Sequence, residues 1–328
     1  MTVDLHRARF PAVAPQAGHY ESFYLKLADP QRSRGAWIRY TVLKRPDQPA
    51  LGSVWCVLWL GGDAEPQARK VTLAPSELES GGTDLIRIGP SRLGKDDAVG
   101  SIDGGGWTLE YGPTGTAFPY LPRGWMYRTA LPRTKAASLC PYTTFRGHIS
   151  VGAHTLTVDG WPGMVGHNWG AEHAERWIWL HGAGFPEASG AWLDAIVGRI
   201  KVGRLTLPWV ANGGLWLDGR LHRLGGPAAL RGTSVSAEPH RCRIVLPGRG
   251  VMVRGEVTAP PALTTAWQYS DPSGGHHFTS NCSVASLTLS VHGADGRERI
   301  LQLPAGAGYE LGARERPATV PVQPFPDP

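Results

Sequence analysis

Two short segments, AWIRYTV from Ala36 and AWLDAIV from Ala191, place Trp37 and Trp192 at matching positions 155 residues apart. Trp55 and Trp209 repeat that spacing at 154 residues, as do Glu21 and Glu175, and Gly18-His19 resembles Gly166-His167. Trp107 and Trp267, each followed shortly by a tyrosine, stand 160 apart. Landmarks that recur in one order at one period mark a duplicated unit. A chain of 328 residues then holds two similar units of about 150 residues, each the size of a closed antiparallel barrel.

The local pattern agrees with barrels. Residues 20–27 (YESFYLKL) and 36–43 (AWIRYTVL) alternate bulky and polar side chains in the period of half-buried strands, and 53–60 (SVWCVLWL) reads as a strand buried on both sides. Further strand candidates lie at 144–150, 154–158, 176–182, 191–200, 205–211, 241–246, 251–258, 277–292 and 300–303. With 43 glycines and 28 prolines to punctuate them, long helices are not expected. Pro119, Pro122, Pro132 and Pro141 make 113–141 an irregular crossover that covers a barrel mouth. The expected fold is therefore all-β: an N-terminal barrel over 1–163, a C-terminal barrel over 164–315, and a Pro-rich tail over 316–328 that is extended and poorly ordered.

Several function classes drop out. Thirty-three basic against 27 acidic residues give a net charge of +6 without a basic run, so nucleic acid is not an expected partner. Cys56, Cys140, Cys242 and Cys282 form no CxxC pair and read as reduced structural thiols. His167, His173 and His181 lack ligand spacing and His276-His277 follow a glycine loop, so no metal is expected. No nucleophile elbow, P-loop or dinucleotide fingerprint stands in its required context, and no cofactor is expected. With no signal-peptide core and no run of 18 apolar residues, the expected compartment is the cytoplasm; peripheral membrane contact and oligomeric state stay open.

What remains is the stretch 166–194, dense in aromatic and titratable residues. Trp177 and Trp179 share one face of a strand, and Asp194, two residues after Trp192, shares the face of that indole. A carboxyl buried among aromatics has its pKa raised and can serve as a general acid, the chemistry needed to protonate an alkene. His167 would orient it, and Trp169, Trp177, Trp179 and Trp192 would shape the substrate and stabilise positive charge, with Asn168, Glu172 and Arg39 as further binding candidates. Ordinary sheet core, with Asp194 in a salt bridge to Arg39, is the competing reading.

GHNWG followed by WIW and WLD resembles the group containing carotenoid 1,2-hydratase (hydroxyneurosporene synthase) and AttH-type proteins and, more remotely, tocopherol cyclase. That resemblance implies a tandem of two lipocalin-like barrels. It also implies roles for His167, Trp169, Trp192 and Asp194, the last as the acid that protonates an isoprenoid double bond. Trp192 stands where the hydratases carry a tyrosine. Two functions follow as expectations: a cofactor-free hydratase or cyclase acting on a hydrophobic, isoprenoid- or polyketide-like small molecule, or a carrier that binds a lipid or pigment unchanged.

Overall fold

The computed structural model describes residues 3–62, 64–112, 116–199, 201–202, 205–206, 208–325 and 327. Ile200 and Leu207, within two of the expected strands, lie outside the described residues, as do 113–115 of the crossover and Pro326 and Pro328 of the tail.

Alternating sequence and glycine turns give strands almost throughout, and no α-helix occurs among the described residues. The first half holds β1 (His19–Asp29), β2 (Arg34–Lys44), β3 (Leu51–Leu60), β4 (Gln67–Leu73), β5 (Leu78–Gly81), β6 (Asp84–Ile88), β7 (Ser91–Leu93), β8 (Asp97–Ile102), β9 (Gly105–Tyr111), β10 (Phe118–Pro119), β11 (Thr134–Val151) and β12 (His154–Gly170). The second holds β13 (Arg176–Ala183), β14 (Trp192–Arg199), a small β15 (Lys201–Val202) and β16 (Leu205–Thr206) ribbon, β17 (Val210–Leu217), β18 (Arg220–Gly225), β19 (Ser234–Glu238), β20 (Arg241–Gly248), β21 (Val251–Thr258), β22 (Thr265–Ser270), β23 (His276–Gly293) and β24 (Glu298–Ala313).

Two antiparallel sheets result. The first is ordered β4-β3-β2-β1-β12-β11-β9-β8-β7-β6-β5, and the second β18-β17-β14-β13-β24-β23-β21-β20-β19, closed by pairing of Leu224 with Gly248. The topology repeats: β1 and β2 correspond to β13 and β14, and the closing hairpin β11-β12 corresponds to β23-β24. Trp37 and Trp192 therefore occupy equivalent strands, whereas Trp107 on β9 and Trp267 on β22 do not.

The Gly18/Gly166 match also fails, and its failure moves a boundary. Residues 166–170 pair with β1, Tyr20 opposite Gly170 and Tyr24 opposite Gly166, so GHNWG ends the closing strand of the first sheet. A division at 163/164 would cut β12; the chain passes between sheets after Gly170.

Strands β1 and β2 are buried on both faces, not half-buried as their alternation predicts. One face, with Phe23, Leu25, Ile38 and Tyr40, fills the first barrel. The other packs on the second: Trp37 of β2 meets Trp267 at 6.3 Å, and on the neighbouring β3 Trp55 meets Trp267 at 4.9 Å and Trp59 Nε1 donates to the Leu263 carbonyl at 2.7 Å. Polar positions in the β1 alternation, Ser22 and Lys26 among them, thus lie between barrels. Strand β11 runs through Pro141, its register shifting between Cys140 and Thr143, so the irregular crossover ends sooner than its prolines predict.

The described part of the C-terminal tail is docked. Val322 bridges Ala266, and Asp327 joins Lys70 of the first barrel at 2.6 Å to the Ser270 amide of the second at 2.9 Å, so these residues are held where a poorly ordered tail is expected. All four cysteines are buried. No helix among the described residues is long and apolar enough to cross a membrane.

Candidate active site

On β13 and β14 the side chains of Ile178, Leu180, Leu193, Ala195 and Val197 point into the second barrel, by the two-residue period of a strand. Trp177, Trp179, His181, Trp192 and Asp194 therefore take the opposite face. Trp179, Trp192 and Asp194 thus stand on the side turned to the first barrel and the crossover.

Asp194 is fully buried there. Its Oδ1 accepts from Tyr120 Oη at 2.5 Å and from Trp179 Nε1 at 3.1 Å, while Oδ2 has no hydrogen-bond partner among the described residues. Burial raises this carboxyl to about 6; Tyr120, Ser138, Trp179 and the nearby Lys26 pull the other way and offset only part of that rise. The walls come from distant parts of the chain. Tyr24 of β1 meets Trp179 edge-on at 5.5 Å and groups with Met164 of β12. Phe118, beside Tyr120 in the crossover, packs on Trp192 at 5.7 Å. Gly166 is required by this packing, since a Cβ there would fall 2.3 Å from Tyr24 Cζ.

Two further polar groups share the region. His181 is opposite Asp194 in the ladder; burial pushes it down to about 3, its Nε2 donates to the Pro141 carbonyl at 2.9 Å, and Nδ1 has no partner among the described residues. Lys26 is fully buried, lowered to about 7 by burial, and its ammonium donates to the Gly306 carbonyl.

His167 is not brought to Asp194. On β12 it shares the face of Val165, inside the first barrel, and both ring nitrogens are taken: Nε2 lies 2.7 Å from Glu21 Oε1 and Nδ1 lies 2.8 Å from the Leu5 carbonyl. Glu21 also accepts the amides of Arg9 at 2.8 Å and Phe10 at 2.7 Å, with His19 at 3.3 Å. Burial alone would raise that carboxyl; His167 and His19 outweigh it and hold it down at about 2. This is a cap that ties the N-terminal arm over the barrel end. Trp169 belongs to it, stacked on His167 at 4.4 Å with the Arg9 guanidinium 4.9 Å from its ring.

The other candidates scatter. Asn168 is half-buried with Oδ1 unpartnered among the described residues. Glu172 is half-buried in ion pairs with Arg133 at 2.5 Å and Arg314 at 3.6 Å. Arg39 makes no bridge to Asp194; it donates to Ser22 Oγ at 2.6 Å and lies over the Tyr269 ring at 4.1 Å. Trp177 donates to Glu310 at 2.8 Å and flanks a cluster of His173, Asp271 and His277.

Tyr24, Lys26 and Tyr120 escaped sequence reasoning. For Tyr120 a signal existed, in a crossover already read as a cover; for Tyr24 and Lys26 it was their alternation with the core residues of β1.

No protein-family profile matches the chain. Two uncharacterized Mycobacterium tuberculosis proteins, from strains H37Rv and CDC 1551, are each 25% identical over 288 residues, spanning 87% of this chain and 85% of theirs. A crystal structure of a candidate AttH from Nitrosomonas europaea superposes with a TM-score of 0.58 at 15% identity, covering 94% of this chain and 97% of that one. Kievitone hydratase from Nectria haematococca gives 0.49 at 13% identity, over 91% and 89%. The fold is thus the tandem of lipocalin-like barrels seen in the AttH structure.

Proposed function

We propose that the protein is an enzyme that protonates a carbon–carbon double bond of an apolar small molecule, isoprenoid- or polyketide-like, with Asp194 as the acid. The observation that carries this reading is the state of one carboxyl: buried between the barrels, raised to about 6, with one oxygen fixed by Tyr120 and Trp179 and the other unpartnered among the described residues. A carboxyl among aromatic faces keeps its proton close to neutrality, because the carboxylate left by ionisation would go unsolvated there, so the form that can donate a proton is the one present.

The step balances within the site. The Asp194 proton forms a C–H bond with the alkene π electrons, leaving a cation on the adjacent carbon. The faces of Tyr24, Trp179 and Trp192 support that charge. Water then adds and returns a proton to the carboxylate, which is hydration, or an internal double bond closes a ring before the proton is lost, which is cyclisation. Neither route draws on a cofactor for the proton. His167 has no part in it; Tyr120 takes over the positioning role that sequence assigned to that histidine.

The substrate need not be identified before the test. Asp194→Asn protein purified from its host is extracted with organic solvent, and the recovered ligand is given to wild-type protein in deuterium oxide. Incorporation of carbon-bound deuterium by wild type and none by the variant is expected. A ligand recovered unchanged by both would replace the enzyme reading with that of a carrier.

A further inference from the structure

We propose that His173, Asp271 and His277 form a binding site for a divalent transition-metal ion, zinc or iron(II), where the chain crosses from one barrel to the next. It is independent of the reaction assigned to Asp194. His173 lies in the connection between β12 and β13, whereas Asp271 and His277 flank a turn of the second barrel. Gly274 and Gly275, both at positive φ, close that turn and bring the two side chains to one place.

The spacing is that of ligands around one ion. His173 Nδ1 is 2.8 Å from Asp271 Oδ1, His277 Nδ1 is 3.1 Å from Asp271 Oδ2, and one ligand atom from each residue lies within 4.8 Å of the others. Neighbouring ligands held about 2.1 Å from a metal stand roughly 3 Å apart and point at the ion rather than at each other. His277 fits this description. It is fully buried, its Nδ1 sits beside the carboxylate outside hydrogen-bond geometry, and neither ring nitrogen has a hydrogen-bond partner among the described residues. A buried imidazole without partners calls for an ion or a water to satisfy it.

The carboxylate is already positioned. Asp271 Oδ1 accepts the His173 amide at 3.0 Å, and the nearest cation, Arg314, is drawn off by Glu175 at 2.9 Å, leaving it 3.8 Å from Oδ2. Two imidazoles and one carboxylate select zinc or iron(II) over calcium or magnesium, which prefer oxygen alone. The other histidine–carboxylate group differs here, because both His167 nitrogens are occupied. Local spacing hides the site: His173 and His277 are 104 residues apart, and only the fold unites them.

Metal analysis of the full chain, followed by cobalt(II) titration of chelator-treated protein, tests this through metal content and the visible bands of bound cobalt. About one metal per chain is expected, with cobalt binding weakened roughly a hundredfold or more in His277→Ala and in His173→Ala. His276→Ala, which alters the exposed neighbour, is expected to bind as wild type does. Should His277→Ala fail to fold, the partly exposed His173 carries the comparison. Absence of stoichiometric metal together with absence of cobalt bands overturns the proposal. So does equal cobalt binding by wild type and His173→Ala, which would leave a histidine–carboxylate hydrogen-bond cluster only.

Discussion

Glu21 and Asp194 are both carboxylates withdrawn from water, yet their environments drive them to opposite charge states. Glu21 sits at the end of the first barrel among two imidazoles and two backbone amides and is held at about 2. Asp194 sits between barrels with donors on one oxygen only and is raised to about 6. Burial raises the pKa of both; the number and charge of the donors decide which keeps its proton. One site has become a fully satisfied cap, and the other retains an acid.

The largest effect expected from that contrast is on chemistry. Asp194→Asn should lower turnover by roughly a hundred- to ten-thousandfold, the usual range for loss of a general acid. Glu21→Ala should leave the Asp194 chemistry in place and destabilise the fold by about 3–5 kcal/mol, because the donors around it lose a buried partner. Urea unfolding reads the second and substrate conversion the first. If the two variants exchange phenotypes, the assignment of roles is inverted.

The same contrast predicts stability profiles of opposite sign. The Asp194 carboxyl is raised from 3.8 to about 6, so its contribution is complete below the unfolded value and is lost as pH rises through about 6. That loss amounts to about 3 kcal/mol and should vanish in Asp194→Asn. Glu21, lowered from 4.5 to about 2, contributes above the unfolded value and loses its contribution as pH falls towards 2.

Smaller effects sharpen the Asp194 side. Tyr120→Phe removes a donor that favours the ionised form, so the alkaline limb of the activity profile, where Asp194 loses its proton, should move above pH 6. The fold should lose about 1 kcal/mol. Lys26→Met removes a cation that acts in the same direction, and should move that limb upward by less. A downward shift in either variant would mean that another group sets the limb.

Much of this architecture was legible in sequence for a physical reason: a duplicated barrel repeats its tryptophans, and Trp37 and Trp192 do mark equivalent strands. The face of Asp194 was legible because Trp192 lies one strand period before it. Its partners were not, since Tyr120 and Lys26 arrive from 74 and 168 residues away and no local pattern encodes that meeting. GHNWG misled because Gly18-His19 imitates it locally, while pairing with β1 puts it in the first sheet. Glu172 stands in the same dense stretch, but the chain leaves β12 after Gly170 and pairs this carboxylate with Arg133, away from Asp194.

The central claim is that Asp194 holds its proton close to neutrality, and infrared difference spectroscopy of the full chain across a pH titration measures this directly. A protonated-carboxyl band that disappears with a midpoint near pH 6, and is missing from Asp194→Asn, is the result expected from burial between the barrels. A carboxyl ionised throughout, with no band above about pH 4 that depends on residue 194, would contradict it.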